Sequence, residues 1–320
     1  MTAIFSATPQ TFDAVALETF RFQYAHNPVY REFCDTLNKT SSTVKAVGDV
    51  PFLPVELFKT HHVYASEKTP EVIFTSSGTT GMITSRHAVA DVSLYEESFR
   101  RAFEIFYGDI REWTVLALLP SYLEREGSSL VHMADALIKA SQHSDSGFYL
   151  HDYAKLSEKL RALKGKKVLL LGVTYALLDL AEQFPQPLEH VVIMETGGMK
   201  GKRKEMVRDE VHAILKNAFH VSAIHSEYGM TELLSQAYSK GDGIFNCPPW
   251  MKIIVREMND PFSVAENGKT GGVNIIDLAN RYSCSFLATS DLGKKYPDGS
   301  FEILGRFDFS DVRGCNLMVE

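Results

Sequence analysis

The chain has 320 residues, of which 45% are hydrophobic and 11% aromatic, and its formal net charge is −7 at pH 7. This size and composition allow a large buried core, so the fold needs no disulfide or structural metal. Acidic and basic residues are mixed, and the densest basic stretch, Lys200 to Lys204, continues directly into Glu205. A basic stripe for nucleic acid is therefore excluded, and no nucleic-acid partner is expected.

The cysteines and the apolar segments further limit the classes of protein to which the chain can belong. Cys34, Cys247, Cys284 and Cys315 show neither CxxC spacing nor a cluster with histidines, which argues against a zinc site or a disulfide framework. The N-terminus lacks a signal-peptide pattern, and the most apolar stretch, VLLLGVTYALLDLA, is too short and too interrupted to span a bilayer. We therefore expect a cytoplasmic protein without a membrane span.

The first elements in chain order are helical. Residues 10–38 carry aromatic residues at roughly helical spacing and are followed by the Pro-rich turn VPFLPVELF. The segment EVIFTSSGTTG then reads as a short apolar strand that enters a glycine loop, and SLYEESFRRAFEIFYG places its apolar residues on one helix face. Strand, loop and helix in this order are typical of a phosphate-binding site.

The middle of the chain alternates between strands and helices. The predicted strands are WTVLALLP, KKVLLLGV and HVVIMETGG, and the predicted helices are SSLVHMADALIKAS, YALLDLAEQF and KEMVRDEVHAILKNAF. This alternation predicts a largely parallel α/β sheet. Beyond residue 220 short strands with turns dominate, as in WMKIIVREM, GGVNIIDLA and SFEILGR, so we expect one continuous unit that closes with a β-rich subdomain.

The glycine loop has the donors that a phosphate cradle needs, namely accessible backbone N–H groups and short hydroxyls. The hydroxyl residues are Thr75, Ser76, Ser77, Thr79 and Thr80, and the glycines are Gly78 and Gly81. The loop is not a Walker A motif, because its glycines lack the four-residue gap and the Lys-Ser/Thr pair that follows. On composition alone, a polar connection between two elements remains the alternative.

Three downstream stretches carry related chemistry. In SEYGMTELL the Tyr-Gly turn can stack on a base, Thr231 can donate to a phosphate and Glu232 can hold Mg²⁺. The alternative is an ordinary strand-to-helix turn with Glu232 in the first helical turn. In ATSDLGKKYPDG, Asp291 can accept two ribose hydroxyls, and in ILGRFDFSDVRG, Arg306 can reach ribose or phosphate.

FTSSGTTG, YGMTE, TSDLG and GRFD, in this order, resemble the motifs of the adenylate-forming superfamily of acyl-CoA ligases, luciferases and nonribosomal adenylation domains. Within it the chain is most similar to the LuxE-type acyl-protein synthetases, through VPFLPVELFK, SSGTTGM…SRH and the ending DVRGCNLMVE. The resemblance implies the large N-terminal α/β domain of that superfamily over residues 1–304, with a helical cap at 1–45. Residues 305–320 would be a truncated hinge and tail in place of the usual C-terminal domain.

The resemblance also assigns roles to individual residues. It implies that ATP and Mg²⁺ are the cofactors, that Thr75 to Gly81 hold the β- and γ-phosphates, and that Arg86 stands where the family usually has lysine. The remaining implied contacts are Thr231 to the α-phosphate, Glu232 to Mg²⁺, Tyr228 and Gly229 to adenine, Asp291 to ribose with Arg306 after it, and Gly197 and Gly198 to the adenine or acyl pocket.

The C-terminal end bears on both the adenylation step and the acyl acceptor. In the superfamily a C-terminal domain supplies a lysine that stabilises the adenylation transition state, and this sequence shows no counterpart. Lys294 and Lys295, just after TSDLG, are the candidates to replace it. LuxE-type proteins carry the acyl group on a cysteine near the C-terminus, which corresponds to Cys315. The alternative for Cys315 is a small apolar residue in a final strand.

The sequence therefore predicts ATP-dependent activation of a carboxylic acid, in particular a fatty acid, as an acyl-adenylate, followed by transfer to the thiol of Cys315. An acyl reductase or another acyl-acceptor protein is the expected partner. Two alternatives stay open: an acyl-CoA ligase of the phenylacetate-CoA ligase type, and a nucleotide-binding protein without turnover.

Overall fold

The computed structural model describes residues 2–76, 83–119, 127–197, 203–204 and 206–307. The helices are α1 (Thr2–Phe5), α2 (Phe12–His26), α3 (Pro28–Thr36), α4 (Val92–Tyr107), α5 (Ser129–Ser141), α6 (Tyr153–Ala162), α7 (Thr174–Gln183) and α8 (Arg208–Phe219). The first strands are β1 (Leu53–Pro54), β2 (Val72–Thr75), β3 (Arg86–Val89), β4 (Thr114–Leu118), β5 (Gly147–Tyr149), β6 (Val168–Val173), β7 (Val191–Thr196) and β8 (His225–Tyr228). The later strands are β9 (Ala237–Ser239), β10 (Ile244–Asn246), β11 (Met251–Arg256), β12 (Thr270–Asp277), β13 (Phe286–Lys295) and β14 (Phe301–Arg306).

Most strands form one large mixed sheet in the order β11-β12-β13-β14-β10-β9-β8-β7-β6-β4-β5, to which β1 is added beside β13. From β5 to β8 neighbouring strands are parallel, and from β8 to β14 along the sheet they are antiparallel. The predicted fold class, a helix-flanked α/β sheet followed by a β-rich part, is confirmed. The change from parallel to antiparallel pairing occurs between β8 and β9, and we call this boundary the seam.

The parallel and antiparallel parts of the sheet also differ in the burial of their strands. Every residue of β4 and β6 is buried, as expected for parallel strands that are covered by helices on both faces. Along β11 the residues alternate between buried and half-buried positions, the pattern of a strand with one face toward the core. The hydrophobic period of each segment therefore matches its place in the sheet.

The N-terminal helices are attached to the β-rich part by buried aromatic and amide side chains. Phe20 of α2 and Tyr30 of α3 both pack against Phe286 of β13. The side-chain amide of Gln23 donates to the carbonyl oxygens of Asn280 and Arg281, at 2.9 and 2.8 Å. The helices predicted for residues 10–38 thus hold the turn that follows β12.

One alternative from the sequence needs correction. No helix follows β8: after Tyr228 the chain makes a turn and enters β9, which runs antiparallel to β8. The alternative placing Glu232 in a first helical turn is therefore wrong, because the segment after the turn pairs with β8 instead of packing as a helix. Asp291 lies inside β13, well before the turn at Pro297 to Gly299. Among the described helices, none combines the length and apolarity needed to cross a bilayer.

Candidate active site

Three of the predicted site residues meet beside the seam. Tyr228 ends β8, and Asp291 of β13 pairs in register with Arg306 at the end of β14. The Tyr228 hydroxyl donates to Asp291 Oδ2 at 2.6 Å, and Arg306 Nε donates to Oδ1 at 3.2 Å. The side chain of Asp291 is 8% exposed and that of Arg306 is 76% exposed. A buried carboxylate is thus oriented by the tyrosine, and a cation beside it faces solvent.

Glu232 lies close to this group. Its side chain is buried, and burial raises the pKa of the carboxyl group, while a hydrogen bond with Ser85 and the positive charges of Arg306 and Lys59 oppose that rise. Ser85 closes the base of the glycine loop, because its N–H donates to Ser76 Oγ at 2.9 Å and its carbonyl accepts from the Ser76 N–H at 3.1 Å. The base of the loop therefore lies close to Glu232.

Arg86 follows Ser85 and begins β3, where it pairs with Thr75 at the other end of the loop. Its side chain is exposed, whereas the next residue, His87, points inward and is fully buried. The structure thus places a cation at the base of the predicted phosphate loop.

The main chain of the Thr231–Glu232 segment is held by two buried side chains. His87 Nδ1 lies 2.8 Å from the Thr231 carbonyl oxygen, and Asn280 Nδ2 donates to the Glu232 carbonyl oxygen at 2.8 Å. His87 Nε2 and Asn280 Oδ1 are 3.0 Å apart. The sequence alone assigns no role to Asn280 or to His87. His87 is the last residue of the SRH motif, which is a local signal for it, whereas no local pattern marks Asn280.

A pair of buried carboxyl groups at the ends of two parallel strands was also missed. Glu195 of β7 lies 3.4 Å from Arg208 Nε and 3.7 Å from His212 Nε2. Burial favours the neutral acid, but a hydrogen bond with His212 and the charge of Arg208 outweigh it and hold the pKa of Glu195 below its usual value. Burial raises the pKa of Glu227 in β8 to about 7, and the charge of Glu195 adds to that rise.

The glycines of the site have specific spatial reasons. A Cβ atom on Gly229 would lie 2.5 Å from Glu227 Oε1, so any larger residue at this position requires the Glu227 carboxyl group to move. Gly197 has φ of 71°, a left-handed conformation that glycine adopts without strain, and its carbonyl accepts from Thr174 Oγ1 at 3.3 Å. Both glycines therefore shape the chain at the carboxyl ends of β7 and β8.

The described cysteines offer no reactive thiol. Cys34 and Cys284 are buried and Cys247 is partly buried, and burial raises the pKa of all three thiols, that of Cys34 to about 12. His225 contacts the Tyr107 hydroxyl at 3.2 Å, and burial lowers its pKa to about 4, consistent with a packing role. Several predicted site residues lie outside the described residues and stay predictions: Ser77, Gly78, Thr79, Thr80, Gly81, Gly198 and Cys315.

Comparisons with known proteins show a fold that the chain shares with solved ligase structures. Residues 6–103 match the family model of acyl-protein synthetase, LuxE, while no curated protein sequence matches. An open conformation of 2-hydroxyisobutyryl-CoA ligase with 2-HIB-AMP and CoA superposes with a TM-score of 0.72 at 14% identity, over 96% of this chain and 77% of the ligase.

Two further similar structures contain ATP. ATP-bound MatB from Rhodopseudomonas palustris has a TM-score of 0.57 at 15% identity, over 88% of this chain and 58% of MatB. The ATP-bound RpMatB-BxBclM chimera B3 has a TM-score of 0.57 at 17% identity, over 77% of this chain and 49% of the chimera. The chain thus spans about half the length of that chimera. The expected resemblance is confirmed: the chain has the fold of adenylate-forming ligases and is LuxE-like over residues 6–103.

Proposed function

We propose that this protein activates a carboxylic acid with ATP, forming an acyl-adenylate, and then transfers the acyl group to a thiol. One observation carries the proposal: stretches far apart in sequence converge at the seam. His87, next to Arg86 at the base of the glycine loop, lies 2.8 Å from the Thr231 carbonyl oxygen, the charge of Arg306 acts on the neighbouring Glu232, and Arg306 and Tyr228 both bind Asp291. This set contains a donor loop, a metal-binding acid, a cation and a ribose-binding carboxylate.

Asp291 and Arg306 would bind the nucleoside part of ATP. Each carboxylate oxygen has two lone pairs, so Asp291 keeps acceptor capacity for ribose hydroxyls after accepting from Tyr228 and Arg306. Tyr228 and Gly229 would contact adenine, and Gly197, which directly follows β7, would line the adenine or acyl pocket together with Gly198. The hydrogen bond from Tyr228 fixes the orientation of the carboxylate before the nucleotide arrives.

The phosphates would lie between the glycine loop and the Thr231–Glu232 segment. Thr75 to Gly81 would supply hydroxyl and N–H donors, Thr231 would donate to the α-phosphate, and Arg86 would add positive charge at the base of the loop. The Thr231 main chain is held by His87, and donors fixed in advance at developing negative charge are the main source of rate in this kind of reaction.

Glu232 fits Mg²⁺ as a carboxylate ligand. Mg²⁺ is usually held by one or two carboxylates together with substrate phosphates and waters, and within the described residues no three acidic, histidine or cysteine side chains group as a metal site. A single buried carboxylate beside the loop matches that mode of binding. When bound, the ion would neutralise the charge that develops on the phosphates.

The chemistry needs two displacements. A carboxylate oxygen of the acid forms a bond to the α-phosphorus of ATP, and the bond between that phosphorus and the oxygen bridging to the β-phosphate breaks, so pyrophosphate leaves. A thiolate then attacks the acyl carbon of the acyl-adenylate, and AMP leaves with the bonding electron pair. We propose the thiol of Cys315 as the acceptor, a fatty acid as the substrate and an acyl reductase as the partner, on the LuxE resemblance.

The second candidate acceptor is coenzyme A. It is favoured by the similarity to 2-hydroxyisobutyryl-CoA ligase, whose structure contains CoA, over 96% of this chain. The two candidates share the adenylation step and the seam residues, and they differ only in the thiol that receives the acyl group. Product analysis therefore distinguishes them.

The test is pyrophosphate release together with intact mass spectrometry, using Mg·ATP and a panel of fatty, hydroxylated and aromatic acids, with and without coenzyme A. An acyl adduct on the wild type that disappears in Cys315→Ala supports the protein acceptor. Pyrophosphate release that yields only acyl-CoA supports the ligase alternative. Nucleotide binding with no acid-dependent pyrophosphate release would contradict both and leave the non-catalytic alternative.

A further inference from the structure

His87 lies at the meeting point of three distant segments. It belongs to β3, directly behind the base of the glycine loop, and it is 0% exposed. One ring nitrogen faces the Thr231 carbonyl oxygen at 2.8 Å and the other faces Asn280 Oδ1 at 3.0 Å. Asn280 is also 0% exposed and ends the short 3₁₀-helix Leu278–Asn280 after β12. A buried imidazole thus bridges β3, which pairs with β2 in a separate two-stranded sheet, to the turn after β8 and to the 3₁₀-helix after β12.

The orientation of the Asn280 amide follows from its other contacts. Its Nδ2 donates to the carbonyl oxygens of Glu232 and Cys284, at 2.8 and 2.9 Å. A flipped amide would direct Oδ1 at two carbonyl oxygens, so this orientation is the one that satisfies the network. Asn280 Oδ1 therefore faces His87, and both partners of the imidazole are hydrogen-bond acceptors.

A neutral imidazole has one N–H group and can serve only one of these two acceptors. Burial lowers the pKa of His87 to about 4, although the Thr231 carbonyl and Asn280 Oδ1 beside the ring oppose that shift, so the ring is neutral near pH 7. Asn280 is already held by two donated bonds, whereas His87 is the partner that holds the Thr231 carbonyl. The shorter contact is also the one to Thr231. The proton therefore belongs on Nδ1.

The two carbonyl groups held here are the ones that flank Glu232. Because peptide units are planar, the Thr231 carbonyl defines the plane before the Glu232 Cα atom and the Glu232 carbonyl defines the plane after it. Fixing both planes fixes φ and ψ of Glu232, and with them the direction in which its side chain leaves the backbone. His87 controls the first plane and Asn280 the second.

We propose that His87 is a positioning residue of the active site, whose Nδ1–H group holds the Thr231 carbonyl and thereby aims Thr231 and Glu232 at the phosphates and their metal ion. The inference rests on the proposed function. It adds a residue that touches no substrate and acts through the backbone. The competing role is purely structural, since the ring also packs edge-on against Phe58 with 5.6 Å between ring centroids.

Two amide substitutions separate the two nitrogens. In His87→Asn the amide nitrogen stands near the former Nδ1 and can still donate to the Thr231 carbonyl, whereas in His87→Gln it reaches the former Nε2 position and serves Asn280 instead. Both variants lose the ring and its packing. We expect kcat/KM for Mg·ATP in pyrophosphate release to fall about 10-fold or more in His87→Gln, but by about 3-fold or less in His87→Asn.

Stability is measured in parallel by urea denaturation. A purely structural role would lower the activity of the two variants in proportion to their stability loss, and equal activity losses at equal stability would overturn the inference. The matched control is Asn27→Ala, which removes another fully buried amide, one that donates to the Ser283 carbonyl at 3.0 Å. We expect it to destabilise the fold while kcat/KM changes by about 2-fold or less.

A second measurement is independent of catalysis. Nitrogen-15 NMR of the histidine side chains, with the His87 signals assigned from their loss in His87→Asn, reports which ring nitrogen carries the proton. We expect Nδ1 protonated and Nε2 unprotonated near pH 7. A ring protonated at Nε2 overturns the inference whatever the activity. Absence of pyrophosphate release by the wild type with every acid would instead contradict the proposed function, so the two failures are distinguishable.

Discussion

The two parts of the large sheet carry charged side chains at different positions along their strands. In the parallel part, β4 and β6 are buried along their whole length and carry no charged residue, and the charges of β7 and β8 lie near the strand ends, at Glu195 and Glu227. In the antiparallel part, Asp291 lies in the middle of β13 and pairs with Arg306 across the ladder.

The difference teaches where each kind of strand can place a functional group. A parallel strand covered on both faces has room for polar chemistry only where it ends. The antiparallel strand β13 instead alternates buried with half-buried positions along part of its length, and it holds the buried Asp291 in its interior, where Tyr228 and Arg306 bind the carboxylate. The seam between β8 and β9 brings both kinds of position together. The candidate site therefore combines strand-end residues from one part with strand-interior residues from the other.

The largest effect is expected at the seam itself. Glu232→Gln keeps the shape of the side chain but removes the charge, so we expect pyrophosphate release to fall about 100- to 1,000-fold, with stability unchanged or higher because burial disfavours the ionised acid. Thr231→Ala should act in the same direction. Glu266→Gln, which alters an exposed acid, is the control for rate and thermal unfolding. Wild-type rates in both seam variants would remove this segment from the site.

The next effect compares packing in the two parts. Leu170 of β6 is fully buried between two parallel neighbours, whereas Ile254 is half-buried in β11 at the end of the sheet. We expect Leu170→Ala to lower the free energy of unfolding by about 3 kcal/mol and Ile254→Ala by about 1 kcal/mol. Urea denaturation measures both. Equal losses would mean that the two parts are equally well packed.

A smaller effect concerns the buried acid at the end of β8. Burial raises the pKa of Glu227 to about 7, above the value of about 4.5 in the unfolded chain. The folded state thus binds the proton more tightly, so stability falls as the pH rises from about 4.5 to 7 and stays lower above that range.

Glu227→Gln should weaken that dependence and stabilise the protein at pH 8 by about 2 kcal/mol, while Asp277, whose pKa burial raises to about 6, keeps contributing to it. Urea unfolding between pH 4.5 and 8 tests this, with Glu266→Gln retaining the wild-type profile. A profile for Glu227→Gln that falls as steeply as that of the wild type would show that other groups are responsible.

The smallest effect is expected at the hydrogen bond that links the two parts of the sheet. Tyr228→Phe removes the hydroxyl that donates from β8 to Asp291 in β13, while Arg306 still binds the carboxylate. We expect the KM for ATP to rise about 5-fold with kcat within about 2-fold. Tyr238→Phe, at another buried tyrosine, in β9, is the matched control. An unchanged KM for ATP in Tyr228→Phe would mean that Asp291 does not depend on this hydrogen bond.

Much of the fold was predictable because its signals are local. Runs such as VLLLGV and TVLAL are long enough and apolar enough to be parallel strands, and the alternation of strands with helices predicts the parallel part. The motif residues Tyr228, Glu232, Asp291 and Arg306 were also found, and the structure brings them together. The turn after β8 was harder to predict, because a polar Thr-Glu segment suits both a helix start and a tight connection between strands.

The sequence by itself determined the class of fold and the kinds of functional group, since hydrophobic period and residue type are properties of short segments. Only the tertiary structure decided which groups meet and in which direction they point. His87 reaches partners 144 and 193 residues away. Glu195 and Glu227 differ in pKa because Glu195 faces Arg208 and His212, whereas Glu227 is buried beside the negative charge of Glu195. Burial and long-range contacts set these properties, and no short segment encodes them.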